Sequence, residues 1–262
     1  MRVALVGIDG TGKTTVLRRI HERDGIAVVH AIRGHDDPKS PFAELSLALA
    51  DASAAADALG RVQLKVAVLY LQLCLYGPAE RQTLETSPIL LTDRHPLIDS
   101  LVYLPLFGRV ERDDDPGDDI EVWWGKQDPD AARSVHDWLR TCSGGTDPWS
   151  LGTELLSLGT KSGPEIHAEL SRRLGLTTPE AVLLLDLPVA QALQRTRVRA
   201  RGSELHETTA FLTATRQRYD EVLDWLRTAG PDVAVGRIAC SGLSVDAVTE
   251  RVCGALGDLH GR

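Results

Sequence analysis

The sequence predicts an α/β protein: a parallel sheet of about five strands with helices on both faces and polar motifs at the carboxyl ends of its strands. Three observations predict it. Short apolar runs at 3–6, 26–31, 88–92, 181–186 and 233–239 alternate with stretches of helical spacing. A glycine loop, Gly7-Ile8-Asp9-Gly10-Thr11-Gly12-Lys13-Thr14, stands between the first run and the first helical stretch. Polar residues such as Asp93 and Asp186 end the buried runs.

The loop has the pattern G-x-x-x-x-G-K-[ST], preceded by Val3-Ala4-Leu5-Val6 and followed by Thr15 and helically spaced Val16, Leu17 and Ile20. Strand, loop and helix in that order mark a phosphate-binding loop. Glycines let successive N–H groups turn inward on phosphate oxygens, and the helix adds its positive end. Gly7, Asp9, Gly10, Thr11, Gly12, Lys13, Thr14 and Thr15 are therefore the candidate nucleotide site. Lys13 is suited to the β- and γ-phosphates of ATP, and the Thr14 hydroxyl to Mg²⁺.

A polar turn at 33–38 follows the second strand. Residues 41–58 and 61–76 read as helices, with Gly77-Pro78 expected to stop or kink the second. The central strand runs to Asp93, and 98–106 returns to helical spacing. Residues 108–165 are the least regular part, with an acidic run at 112–119 that lacks metal-ligand spacing. Short helices are expected at 131–139 and 164–174, with Gly144-Gly145 and Pro148 between them. A solvated excursion is the first expectation for this stretch; a substrate-closing insert using Trp123, Trp124 or Trp149 is the second. The whole chain, 1–262, reads as one domain with an insertion at about 108–165. After the strand at 181–186 come an Arg-rich stretch, a long helix at 207–227, a last strand and a last helix at 244–256 capped by Ser244.

Two further constellations carry chemistry. In Thr92-Asp93-Arg94-His95-Pro96 the strand-end carboxylate can hold Mg²⁺ or its waters, and the guanidinium can bridge donor and acceptor phosphates. A surface Asp–Arg pair is the plain alternative. In Arg195-x-x-x-Arg199-x-Arg201-Gly202-Ser203-Glu204 the first two arginines share a helical face, while Arg197 points elsewhere. Such a cluster suits a lid over phosphates that excludes water, or else a solvated basic helix.

Composition bounds the rest. A net charge of −8 argues against general nucleic-acid or membrane-surface binding. Cys74, Cys142, Cys240 and Cys253 form no C-x-x-C pair, which fits a reduced, cytoplasmic setting and argues against a disulfide framework or zinc. The first strand starts directly after Met1, unlike a signal peptide, and no apolar run reads as long enough to span a bilayer. The apolar helices at 41–58 and 61–76 suit a homodimer face or a core equally.

Together these motifs resemble the thymidylate kinase and deoxynucleoside kinase superfamily of P-loop kinases, over most of the chain except about 108–165. The glycine loop, with Asp9, is similar to that of thymidylate kinases. Asp93-Arg94-His95-Pro96 resembles the herpesvirus thymidine kinases, where thymidylate kinases usually carry Asp-Arg-Tyr. Arg195, Arg199, Arg201, Glu204 and Phe211 are spaced like the lid of deoxynucleoside kinases. The resemblance implies a P-loop NTPase fold, ATP and Mg²⁺ as cofactors, and a small-molecule nucleoside or nucleotide acceptor. It implies transfer of the γ-phosphoryl to a nucleoside 5′-oxygen, with Lys13, Arg94 and the lid arginines stabilising the charge. It further implies Asp37 as general base, Gln72 on the base edge, Glu204 on the sugar 3′-hydroxyl, Asp9 near the sugar, and 238–243 against adenine.

Two departures matter. Asp37 stands before Pro38 where the superfamily carries Glu, and residues 69–74 lack the arginine that thymidylate kinases use for the acceptor phosphate. The second favours a nucleoside acceptor, whereas Asp9 favours a monophosphate. A non-catalytic ATP-binding regulator is the reading from another class. Plainer readings stand for single residues: Gln72 bonded to backbone, Asp37 as a turn residue, His95 as a packing or orienting group, Asp186 as a turn former, and Tyr70, Tyr103 and Phe211 as core.

Overall fold

The computed structural model describes residues 1–21, 25–37, 40–110, 115–199, 208–228 and 232–261, with the backbone alone at 197–199. Five strands form one parallel sheet in the order β2-β3-β1-β4-β5. They are β1 Arg2–Val6, β2 Ile26–His30, β3 Ile89–Asp93, β4 Ala181–Asp186 and β5 Ala234–Ala239. The inner strands β1, β3 and β4 are mainly Val, Leu, Ile and Ala and almost wholly buried, with polar residues only at their ends, as a helix-covered parallel sheet requires. Because all strands run the same way, His30, Asp93 and Asp186 end on one edge. The register pairs His30 with Asp93 and Leu5 with Asp93, so the loop after β1 emerges beside the end of β3. It emerges between β3 and β4, where successive crossovers leave in opposite directions and a crevice opens.

Around the sheet lie α1 Lys13–His21, a 3₁₀ turn Gly34–Asp36, α2 Ala43–Leu59, α3 Val62–Leu73, α4 Tyr76–Leu84, α5 Pro96–Phe107, α6 Asp119–Gly125, α7 Pro129–Ser143, α8 Pro148–Leu158, α9 Gly163–Leu174, α10 Val189–Arg199, α11 Thr209–Thr228 and α12 Val245–His260. Ser244 caps α12, its hydroxyl accepting from Ala247 N–H at 3.2 Å. Gly77-Pro78 does not end the helical path: Pro78 falls in the first turn of α4, where a missing N–H costs nothing. The path Val62–Leu84 consequently has the length and hydropathy of a bilayer span, which corrects the expectation that no stretch does. It lies mostly inside the protein and carries Lys65, Glu80 and Arg81.

Residues 119–174 form four helices rather than an irregular excursion, and the last three are opened by ordinary signals. Asp128 caps α7, accepting from Asp130 N–H at 2.9 Å and Ala131 N–H at 3.2 Å, with Pro129 next. Asp147-Pro148 repeats the device for α8, and the Glu165 carboxylate accepts the Ser162 N–H at 3.0 Å at the start of α9. Gly144 and Gly175 close α7 and α9 in the left-handed conformation. The tryptophans are structural. Trp123 is fully buried and donates to the Ala52 carbonyl at 2.9 Å, and Trp138 donates to the Leu71 carbonyl at 2.9 Å. Trp149 lies 5.5 Å beneath the Arg61 guanidinium, which is also ion-paired with Asp119. These contacts hold α2 and α3, the latter carrying Gln72, against the added layer.

Candidate active site

The glycine loop closes on itself through its own side chains. Thr11 Oγ1 donates to the Ile8 carbonyl at 2.9 Å. Lys13 Nζ donates to the Gly7 and Ile8 carbonyls at 2.6 and 3.1 Å. Gly10 has φ +86°, and a Cβ there would lie 2.4 Å from the Ala192 carbonyl oxygen, so the loop rests directly on the first turn of α10. Lys13 is buried, which together with the Arg94 charge lowers its pKa to about 8; Asp9, Asp99 and Asp93 oppose that shift without cancelling it.

Arg94 follows the last residue of β3 in a left-handed conformation, φ +49°, which costs a non-glycine residue roughly 1 kcal/mol. That turn directs the guanidinium back at the phosphate loop. It pairs with the Asp9 carboxylate and lies 5.3 Å over the Tyr103 ring. His95, fully buried, caps α5: its Nδ1 accepts the Leu97 N–H at 3.3 Å, and Pro96 takes the first helical position. Burial, with the Arg2 charge, lowers its pKa to about 3. A neutral imidazole used as a cap is an orienting group. It anchors the turn that aims Arg94.

Asp93 is buried, with Oδ2 3.1 Å from His30 Nδ1 and 3.7 Å from Arg33 Nη2. Burial pushes its pKa up, but His30, Arg33 and Arg94 outweigh burial and leave it below the ordinary value. Its Oδ1 is buried with no hydrogen-bond partner among the described residues. Arg33 also donates from Nη2 to Thr14 Oγ1 at 2.6 Å, so one nitrogen reaches both Thr14 and Asp93. A hydroxyl and an ionised carboxylate with a spare buried oxygen are hard donors, and they fit Mg²⁺ bound chiefly through phosphates and water. Among the described residues no cluster of three His, Cys, Asp or Glu suggests a denser cage.

Asp99, one turn into α5, is a member of this cluster that sequence reading missed. It accepts from the Tyr219 hydroxyl at 2.6 Å, and its other oxygen is buried without a partner among the described residues. Burial raises its pKa to about 6 against the pull of Arg94, the Tyr219 bond and Lys13. The signal was an aspartate inside an otherwise apolar helix. Tyr103, Phe107, Phe211 and Tyr219 form a ring cluster beside it, with Tyr103 and Phe211 centroids 6.3 Å apart.

The remaining candidates fall as follows. Gln72 is buried on α3, and its Oε1 has no partner among the described residues, so this oxygen is not satisfied by backbone. Asp37 ends the 3₁₀ turn after β2 and borders a cavity of about 240 Å³ beside that strand, shared with His30, Phe42 and Tyr76. Thr15 lies in the first turn of α1. Arg195 sits on α10, half-buried, close enough to the loop after β5 to act on the Cys240 thiol. Gln191 Nε2 on the same helix donates to Ser241 Oγ in that loop at 3.0 Å. Arg199 is the last residue of α10, which places it one turn beyond Arg195. Arg201 and Glu204 lie outside the described residues, as do Pro38 and the start of the acidic run. Asp186 is ion-paired with Arg216 at 3.0 Å and Arg237 at 2.9 Å.

No family model matches the sequence, and no curated protein matches it. The structure, however, resembles solved kinases over nearly its whole length. A thymidylate kinase from Candida albicans aligns at TM-score 0.55 and 14% identity, covering 99% of this chain and 92% of that one. A deoxyadenosine kinase from M. mycoides, with dCMP and a flexible dCDP bound, aligns at TM-score 0.50 and 13% identity, covering 98% and 100%. The chain thus has the five-stranded α/β fold of the P-loop deoxynucleoside and thymidylate kinases.

Proposed function

We propose that this protein is an ATP- and Mg²⁺-dependent kinase that transfers the γ-phosphoryl group of ATP to the 5′-hydroxyl of a nucleoside or nucleoside-like acceptor. The observation that carries the reading is the convergence of Lys13, Thr14, Asp93 and Arg94 at the carboxyl ends of β1 and β3, with Arg94 bonded across to Asp9 of the loop. Phosphoryl transfer needs positioning and charge stabilisation more than covalent chemistry from the protein, and this cluster supplies both.

In this reading the loop amides and Lys13 hold the β- and γ-phosphates. Thr14 and Asp93 would hold Mg²⁺, which would supply positive charge to offset that of the phosphates. Arg94 exchanges Asp9 for phosphoryl oxygens as negative charge spreads in the transition state. Arg195, Arg199 and Arg201 close from the lid side and exclude water. Asp37 takes the hydroxyl proton. Gln72 presents its unsatisfied Oε1 to the base edge, and Glu204 and Asp9 serve the sugar.

Thymidylate-type phosphorylation of a nucleoside monophosphate is the second reading, and the Asp9 carboxylate beside Arg94 is the observation that favours it. The two readings separate on Asp37→Asn. Near-complete loss of nucleoside phosphorylation supports the first, because a neutral hydroxyl needs a base. Full activity on a monophosphate supports the second. The primary test is ATP consumption over nucleosides, their monophosphates and sugar-like alcohols. ATP bound without turnover on every acceptor would leave a nucleotide-binding regulator instead.

A further inference from the structure

Arg33 belongs to none of the motifs above, yet it holds the most telling position in the site. It stands just past β2, ahead of the 3₁₀ turn, with its side chain about a third exposed. Nη2 donates to Thr14 Oγ1 at 2.6 Å and lies 3.7 Å from Asp93 Oδ2, while Nε lies 3.6 Å from Asp36 Oδ2. One nitrogen of one guanidinium therefore lies against both groups that the proposed function assigns to Mg²⁺, the Thr14 hydroxyl and the Asp93 carboxylate. A divalent cation and a guanidinium cannot occupy that space together, since their repulsion at such distances in a partly buried site is large.

We infer that Arg33 is an exchangeable internal cation that competes with the divalent metal for Thr14 and Asp93. It leaves those oxygens when metal-bound nucleotide enters and falls back on Asp36, already within reach of Nε. This inference rests on the assignment of Thr14 and Asp93 as metal ligands. Its consequence is discrimination. A free divalent ion must displace the arginine with only two protein oxygens as return. Metal-bound ATP also gains the loop amides and Lys13, so it displaces Arg33 readily. The guanidinium meanwhile holds the Thr14 hydroxyl by its hydrogen bond before ligand arrives. Specificity of this kind comes from a repulsive element set against the wrong ligand, here metal without nucleotide.

The test is Mn²⁺ binding followed by electron paramagnetic resonance, with and without ATP, on wild type, Arg33→Gln, Arg33→Lys and Arg33→Gln/Asp93→Asn. Glutamine removes the charge while keeping a polar amide, and circular dichroism checks that each variant is folded. Arg33→Gln should bind Mn²⁺ alone about tenfold more tightly than wild type, equivalent to about 1.4 kcal/mol. Arg33→Lys, a point charge without the fork, should fall between them. The double variant should lose the gain. Unchanged or weaker Mn²⁺ binding by Arg33→Gln overturns the inference while leaving the site assignment intact, and so does a gain that survives Asp93→Asn. Failure of wild type to bind Mn²⁺ even with ATP overturns the site assignment itself, and the inference with it.

Discussion

Lys13 offers a prediction that links burial to ligand binding through a proton count. Its pKa stands at about 8 because burial and Arg94 disfavour the ammonium, so the protonated fraction falls through the range in which the protein can be assayed. At pH 7, 8 and 9 the ligand-free protein should carry roughly 0.9, 0.5 and 0.1 of that proton. Triphosphate oxygens beside Nζ restore the charged form, so ATP binding should take up about 0.1, 0.5 and 0.9 of a proton at those pH values. Calorimetry in buffers of different ionisation enthalpy reads this directly. Lys13→Arg keeps its charge throughout and should bind ATP with a flat profile. Stability carries the same information. The folded pKa lies below the ordinary 10.5, so the unfolded chain holds the proton more tightly between those values. The penalty is fully present below pH 8 and is relieved as pH rises towards 10.5, by about 3 kcal/mol at most. Lys13→Met should therefore lack that rise and be no less stable than wild type at pH 7. Proton uptake that is constant from pH 7 to 9, or identical in Lys13→Arg, would refute the account of how the site holds this lysine.

Other outcomes follow from particular contacts. Arg94→Ala removes the group aimed at the phosphate loop and should lower turnover by about a hundredfold or more with little change in KM for ATP, measured by coupled ATP consumption. Gly152→Ala should destabilise by roughly 1–3 kcal/mol in urea titration, because the added Cβ would lie 2.0 Å from the Gln63 carbonyl oxygen where α8 crosses α3. Trp123→Phe strips the donor from the Ala52 carbonyl and leaves a void where the larger indole was fully buried, and should cost roughly 2–3 kcal/mol by the same assay. Asp128→Ala removes the cap of α7 and should cost about 1 kcal/mol without altering turnover.

Much of this site is legible in the chain because its signals are local. A phosphate loop is eight contiguous residues whose glycines act through their backbone and whose lysine side chain belongs to the same run. Each buried strand announces itself by an unbroken apolar run. Asp93 and Arg94 are readable as a strand-end pair for the same reason. Helical spacing at 131–139 and 164–174 is legible too, but Gly144-Gly145 and Pro148 read as the gap between two short helices, whereas Asp147-Pro148 starts α8. Breakers and caps use the same residues, and only the turn that follows distinguishes them.

What the sequence alone determined, then, is the α/β order, the glycine loop between β1 and α1 and the identity of the strand-end carboxylate and arginine. Tertiary structure decided the rest, because those facts concern distances between residues remote in the chain. The left-handed turn at Arg94 carries its charge to Asp9, eighty-five positions earlier. Burial, with the charges that assemble around them, sets the protons on Lys13 and Asp99. Arg33 comes to rest on Thr14 and Asp93 only because the register of β2, β3 and β1 brings three strand ends together. A pattern in sequence specifies which groups are present; the desolvation and Coulomb terms that give them their chemistry exist only once the sheet has assembled.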